Sequence, residues 1–270
     1  MKISFIIVEY KDTGVLQQAI DSILQHSASL LYEIIVASNS CYDAESQNAI
    51  SAKYPSAVFI YNQGNYGFGK AVNQGINRSS GSHVVLINPD AKLIDQSICN
   101  AIEFMEQSPK VGIVGPAIID RDLNLQDSCR DFISLKSLAI RFFKRAIGIA
   151  KGPVLEKKEL QRPQEADWVS GACMLVKKEA IDQVGLLDER YFMYAEDMDW
   201  CRRFKIAGWG VVFYPGWRVE HNATRGSTSG VSLTNKLMWI HLSSIIKYFI
   251  KWSWIGIWGI PRAAKQIDQG

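Results

Sequence analysis

Residues 3–36 read ISFIIVEYKDTGVLQQAIDSILQHSASLLYEIIV, and this stretch decides the fold. Ile3 to Val8 is a continuous apolar run rich in isoleucine, which reads as a buried strand. Lys11-Asp12-Thr13-Gly14 breaks the run, and Leu16, Ala19, Ile20, Ile23 and Leu24 then recur at helical spacing. Glu33 to Val36 is a second short strand, Ala44 to Tyr54 a polar helix ended by Pro55, and Val58 to Tyr61 a third strand. This βαβαβ rhythm demands a parallel sheet covered by helices on both faces.

Working outward, a Gly-rich segment precedes a helix over Lys70 to Asn77, a strand over His83 to Ile87 and the turn Asn88-Pro89-Asp90. A helix over Asp95 to Glu106 and a strand over Gly112 to Gly115, closed by Pro116, come next. The stretch from about Asp120 to Glu165 loses this regularity and is expected to form a loop with a short helix over one face. Order returns with a strand over Gly171 to Val176, helices over Lys178 to Val184 and Glu196 to Ala207, and a strand over Gly210 to Tyr214.

The chain has 270 residues, 47% hydrophobic and 21% charged, with 30 Lys+Arg against 27 Asp+Glu and a net charge of +3. A chain of this size buries about 70–75% of its unfolded surface without needing a disulfide or metal. The balance argues against disorder, collagen-like repeats and a nucleic-acid coat. Five cysteines without a CxxC pair read as reduced cytosolic thiols, and the six-residue run at the start is too short for a signal-peptide core.

Charge is nevertheless uneven. Arg141 to Arg162 holds seven Lys/Arg and two acids, and Leu237 to Ile260 holds four of the eight tryptophans with Lys247 and Lys251 among them. Two lysines interrupt that apolar stretch, so it suits a membrane interface better than a spanning helix. The alternative is a C-terminal helix packed on the body of the protein or on a second subunit, so a homo-oligomer stays open.

In open α/β sheets ligands sit beyond the carboxyl ends of the strands, and four motifs lie there. Asn62 to Gly75 (NQGNYGFGKAVNQG) offers glycines and a helix start to an anion or polar ring, or is a structural turn. Asn88-Pro89-Asp90 puts a carboxylate at a strand end, where it could hold a divalent cation or form a turn. Leu187 to Arg203 packs five carboxylates into residues 188–199 between aromatics. Trp200, Phe204 and Ala207 form its buried stripe, Asp199 can pair with Arg202 or Arg203 on the helix surface, Glu196 and Asp197 fall in the first helical turn, and Gly208 stops the helix. His221 follows the turn Pro215-Gly216 and could ligate a metal or be an ordinary surface residue, with Arg225 and Ser227 nearby to meet phosphate.

Over residues 1 to 230 these motifs, in this order, resemble those of the family 2 inverting glycosyltransferases of the GT-A fold, in particular the bacterial rhamnosyltransferase-like members. The residues that carry the likeness are Val8-Glu-Tyr-Lys11, Val36-Ala-Ser-Asn-Ser-Cys-Tyr-Asp43, Asn62 to Gly75, Ile87-Asn-Pro-Asp90, Gly171 to Arg202 and His221. The resemblance implies a Rossmann-like, mostly parallel central sheet with helices on both faces. It implies a catalytic domain over 1–230, and the residues of 231–270 read as an amphipathic aromatic and basic helical segment after it. It also implies that Asp90 and His221 ligate Mg2+ or Mn2+ and that Asp197, in the pair Glu196-Asp197, is the general base. Ser38, Asn39, Asn65, Gly67, Asn73 and Asn88 would then lie near the nucleotide sugar with Asp90.

Such an enzyme would move a sugar from a nucleotide-diphosphate donor, dTDP-rhamnose or a UDP-sugar, to a glycan or lipid-linked glycan in surface polysaccharide synthesis. It would work at the cytoplasmic face of the inner membrane, attached through the C-terminal segment, with no nucleic-acid partner. Deletion from Leu237 onward is expected to release it from the membrane and leave donor binding intact.

The chain departs from the family where Glu9 and Lys11 stand for asparagines, Cys41 for a serine, Trp200 for an aliphatic residue and Ser38 for the aspartate that meets the base. Serine can accept a hydrogen bond but supplies no charge. Glu9 and Ser38 therefore motivate an alternative, a non-catalytic GT-A-like domain that binds a nucleotide or glycan. A nucleotidyltransferase shares the early rhythm, but the Glu196-Asp197 segment speaks against it.

Overall fold

The structure is a computed structural model and describes residues 1–132, 162–222 and 236–252. Strands β1 (Lys2–Glu9), β2 (Leu31–Ser38), β3 (Ala57–Tyr61) and β4 (His83–Ile87) pair in parallel, with helices α1 (Thr13–His26), α2 (Ala44–Lys53) and α3 (Phe68–Arg78) between them. Next come β5 (Ala91–Leu93), α4 (Ile98–Gln107), β6 (Val111–Ile119), β7 (Cys129–Arg130), β8 (Gln164–Glu165) and β9 (Trp168–Val169). The described chain closes with β10 (Cys173–Lys177), α5 (Lys178–Val184), α6 (Glu196–Ile206), β11 (Gly210–His221) and α7 (Lys236–Trp252).

The main sheet runs β3-β2-β1-β4-β10-β6-β11-β5, with β8 on β11. Strand β10 is antiparallel to both β4 and β6, and β5 is antiparallel to β11. The expectation of a mostly parallel α/β sheet therefore holds. Alternation along β1 sorts the core into two layers. Phe5 and Ile7 pack with Leu16 and Ile20 of α1 and Ile98 and Ile102 of α4 on one face. Ile6 and Val8 pack with Val72 and Ile76 of α3 and with Trp200 and Phe204 of α6 on the other. The polar break after β1 contains a cap, since Asp12 accepts the amides of Gly14 and Val15, each at 3.0 Å.

Several boundaries differ from the sequence reading, for physical reasons. Helix α4 starts at Ile98 rather than Asp95, because the Asp95 carboxylate accepts the Ser97 amide in a turn before it. Pro116 does not close β6. Strand β10 pairs with β6 only at Ile113 and Val114, so the amide hydrogen that proline lacks is not required there, and the strand runs on to Ile119. Likewise Pro215-Gly216 does not end β11, because the irregularity between Tyr214 and Arg218 is absorbed as a bulge within one strand.

The helical stripe of α6 also differs. Trp200 and Phe204 are fully buried, but Ala207 is the exposed C-cap and Met198, Cys201 and Arg202 complete the buried face. Asp199 is not a surface partner of Arg203 but wholly buried beside it. The described parts of the irregular middle hold β7 to β9. The remainder of that loop with its short helix, most of the basic cluster, Arg225, Ser227, Trp254 and Trp258 lie outside the described residues.

Candidate active site

Strand order reverses at β1, which has β2 on one side and β4 on the other, and such a switch point opens a crevice at the carboxyl ends of the strands. Glu9 and Ser38 end β1 and β2 in register opposite each other. Ser38 Oγ donates to Glu9 Oε2 at 2.5 Å, and Ser40 Oγ, Tyr42 OH and the Asp12 amide also donate to the buried Glu9 carboxylate. Thus the carboxylate absent from the end of β2 stands one strand over. The sequence singled out Glu9 only as a departure, although its place at a strand end among hydroxyl-bearing neighbours was the available signal.

Beside it runs a chain of amides. Asn39 donates to Gly67 O at 3.1 Å and accepts from Asn62, which exchanges hydrogen bonds with Gln74. Asn65 accepts the Gly67 amide at 3.0 Å. Gly67 has φ +84, and a side chain there would meet Phe192 O at 2.3 Å, so glycine is required both by conformation and by the close approach of the loop before α6. Asn73 is buried, with its amide spent on that same loop: it donates to Leu187 O and accepts from Leu187 N at 2.9 and 3.0 Å.

The second group lies beyond β4. Ala91 N donates to Asn88 O, closing the turn, and β5 then pairs with β11 so that Ala91 stands opposite His221. This pairing brings His221 Nε2 within 3.2 Å of Asp90 Oδ1, with both side chains partly open to solvent. Asn222 N adds a hydrogen bond to Asp90 O. The sequence did not reveal β5, since three residues between a turn and a helix carry almost no periodic signal. Its pairing is what joins two residues 131 positions apart.

The third group opens α6. Tyr194 and Ala195 both have left-handed backbone, φ 71 and 67, and turn the chain sharply into the helix. Asp197 Oδ2 accepts the Gly171 amide at 2.9 Å and Oδ1 the Met198 amide at 2.8 Å. Burial raises the Asp197 carboxyl against these stabilising amides. Glu196 is 6% exposed, and its Oε2 has no hydrogen-bond partner among the described residues. Burial, and then the adjacent Asp197 charge, push Glu196 well above the ordinary carboxylate range. The segment Gly171-Ala172 ties the groups together, since its next carbonyl, Ala172 O, accepts the Asn88 amide at 2.8 Å.

Asp90 and His221 are a hard oxygen and an imidazole aimed at each other, a pair that suits a divalent cation whose other positions are filled by phosphate oxygens and water. Among the described residues no group of three or more His, Cys, Asp or Glu suited to a metal occurs, and this pair is the two-donor arrangement they offer. A cavity of about 610 Å3 lined by Ser82, His83, Glu106 and Lys177 opens at the other end of the sheet, at the start of β4, away from these motifs.

Residues 2–241 match the sequence model of the family described as glycosyltransferase like family 2. The chain is 31% identical over 235 residues to the N-acetylglucosaminyl-diphospho-decaprenol L-rhamnosyltransferase of Mycobacterium tuberculosis, covering 78% of this chain and 74% of that protein. It is 27% identical to the rhamnosyltransferase WbbL of Escherichia coli, covering 82% and 83%. Among solved structures, GalNAc-T7 with UDP, GalNAc and Mn2+ aligns with a TM-score of 0.63 at 14% identity, over 82% of this chain and 44% of that one. That likeness fixes the GT-A fold, and the matched span of 240 residues, strand-end motifs included, makes the chain a member of glycosyltransferase family 2.

Proposed function

We propose that this chain transfers a sugar, with inversion, from a nucleotide-diphosphate donor to a hydroxyl of a glycan or lipid-linked glycan in cell-surface polysaccharide synthesis. The observation that carries the reading is the carboxylate of Asp197. It is partly open to solvent, raised in proton affinity, fixed by two backbone amides and linked through Gly171-Ala172 to the Asp90–His221 pair. A base so held meets an acceptor hydroxyl in one orientation, and its raised proton affinity suits it to take the proton as the oxygen attacks the anomeric carbon. The developing bond and the departing diphosphate lie on opposite sides of that carbon, so no covalent enzyme intermediate is needed.

Asp90 and His221 would hold Mg2+ or Mn2+, which supplies positive charge against the leaving diphosphate when bound. The presence of Mn2+ with UDP in the GalNAc-T7 structure supports the use of a divalent cation. Ser38, Asn39, Asn65, Gly67 and Asn88 would line the nucleotide side with Glu9, while Asn73 anchors the loop before α6. Glu9 and Ser38, which motivated a non-catalytic alternative, form one hydrogen-bonded unit that keeps a carboxylate on the base side of the crevice. The two rhamnosyltransferase relatives favour rhamnose as the sugar moved, and the first favours a lipid diphosphate acceptor.

Residues 1–230 would form the catalytic body and 231–270 its attachment to the cytoplasmic face of the membrane. Leu242 and Ile246 are exposed on α7, opposite its docked side, and no helix among the described residues is long and apolar enough to cross a membrane. Incubation with a panel of nucleotide sugars, lipid-linked acceptors and Mn2+ tests the reading. Nucleoside diphosphate release coupled to acceptor glycosylation, with the anomeric configuration inverted, is expected. Retained configuration, or donor hydrolysis without transfer, would contradict it.

A further inference from the structure

The loop 185–195 between α5 and α6 has no regular structure, yet its carbonyls are capped from three directions. From α6, Trp200 Nε1 donates to Gly185 O at 2.9 Å and Arg203 to Leu186 O at 2.7 Å. From α3, Asn73 takes Leu187 O and the Phe68 amide takes Phe192 O. From α7, Ser244 Oγ donates to Met193 O at 2.8 Å and Lys247 Nζ to Arg190 O at 2.7 Å. These bonds pin the loop to three helices, although Gly185, Glu189, Arg190 and Phe192 remain exposed along it.

The charged contact lies at the end of α7. Lys251 Nζ reaches Asp188 Oδ2 at 2.7 Å and the two oxygens of Asp199 at 2.7 and 2.9 Å, and Trp252 Nε1 donates to Asp199 at 2.8 Å. Asp199 is fully buried two residues after Asp197, so it depends on these partners and on Arg203 for its charge. Around it Tyr191, Ala195, Met198, Tyr248 and Trp252 form a third apolar cluster, separate from the two layers of the sheet. The family match ends at residue 241, so Tyr248, Lys251 and Trp252 belong to a part of the chain outside it.

We propose that Lys251 is a positioning residue for the acceptor side of the site: by bridging Asp188 of the loop to Asp199 of α6, it holds the loop in register with Glu196 and Asp197. This rests on the transferase reading for its kinetics, but not for its structural half. The C-terminal helix is then a wall of the catalytic unit as well as a means of attachment. Its contacts fall on the acceptor-side loop and on α6, away from the β1 and β4 ends that face the donor.

The test compares wild type, Lys251→Met and Lys251→Arg in the full-length chain, below the melting temperature of each. The Met variant should lower kcat/KM for acceptor about 10- to 100-fold with acceptor KM raised, leave donor binding within about twofold, and be largely rescued by Arg. A variant that only lost active fraction would show unchanged KM values, and that result would overturn the proposal. Amide exchange gives a readout independent of transfer: residues 185–195 should exchange faster in Lys251→Met while β1 to β4 stay protected, and unchanged loop protection would overturn it. If Lys251→Met does not fold, Ser244→Ala should show the same pattern at smaller amplitude, and its absence would likewise overturn it. A wild type without transfer activity would sink the transferase reading and still leave the exchange measurement to decide the clamp.

Discussion

Two carboxylate sites stand at the same edge of the sheet in opposite surroundings. Asp90 is partly open to solvent and faces an imidazole, whereas Glu196 is buried, Asp197 beside it is held by two backbone amides, and both hold their protons more tightly than ordinary carboxylates. Solvent access and a neighbouring ligand suit the first to share a cation that arrives and leaves with the donor. Burial and amide contacts suit the second to accept a proton and give it up again. On the proposed reading, the same functional group would serve as ligand or as base according to what surrounds it.

The contrast can be broken at either site. Asp90→Asn should lower transfer by about 10²–10³-fold, as expected for losing several kcal/mol of charge stabilisation, and raising Mn2+ should recover part of the loss. An unchanged rate at limiting metal would remove Asp90 from that role. Next in size, Glu9→Gln should raise donor KM by roughly tenfold, the worth of a charge-assisted hydrogen bond, with acceptor KM unchanged. A purely acceptor-side effect would misplace Glu9.

A smaller effect concerns stability. Glu196 has a proton affinity raised on folding, so its favourable contribution is complete below the unfolded value and is lost as pH rises through the folded one. Glu196→Gln should therefore melt near wild type at about pH 4 and above it at pH 8, by roughly 2–4 °C for each kcal/mol recovered. Equal melting temperatures at both pH values would show that Glu196 is not raised. Smallest in catalytic terms, replacing Leu242 and Ile246 by Gln should shift the protein from membrane to soluble fractions with donor binding intact. Unchanged fractionation would exclude that face of α7.

The strands and helices around the ends of β1 to β4 were largely legible from the chain. Runs such as Ile3 to Val8 and His83 to Ile87 are long enough for periodicity to report them, and the motifs follow directly at their ends. The acceptor half was legible in its residues but not in its assembly. Nothing local in Asp188 to Asp199 announces that Asp199 is buried, because its partners Lys251 and Trp252 come from a helix 52 and 53 residues later. The Asp90–His221 contact was implied by family resemblance alone, since the short strand that creates it has no pattern to read. Gly171 reads in the sequence only as the start of a strand, and the fold shows its amide holding Asp197.

The most direct test of the base assignment is single-turnover transfer by Asp197→Asn at saturating donor and Mn2+, with donor binding measured in parallel. The isosteric amide can still accept one backbone hydrogen bond but cannot take the acceptor proton. Donor affinity should stay within about twofold of wild type while transfer slows by about 10²–10⁴-fold. Transfer at the wild-type rate would contradict the base assignment.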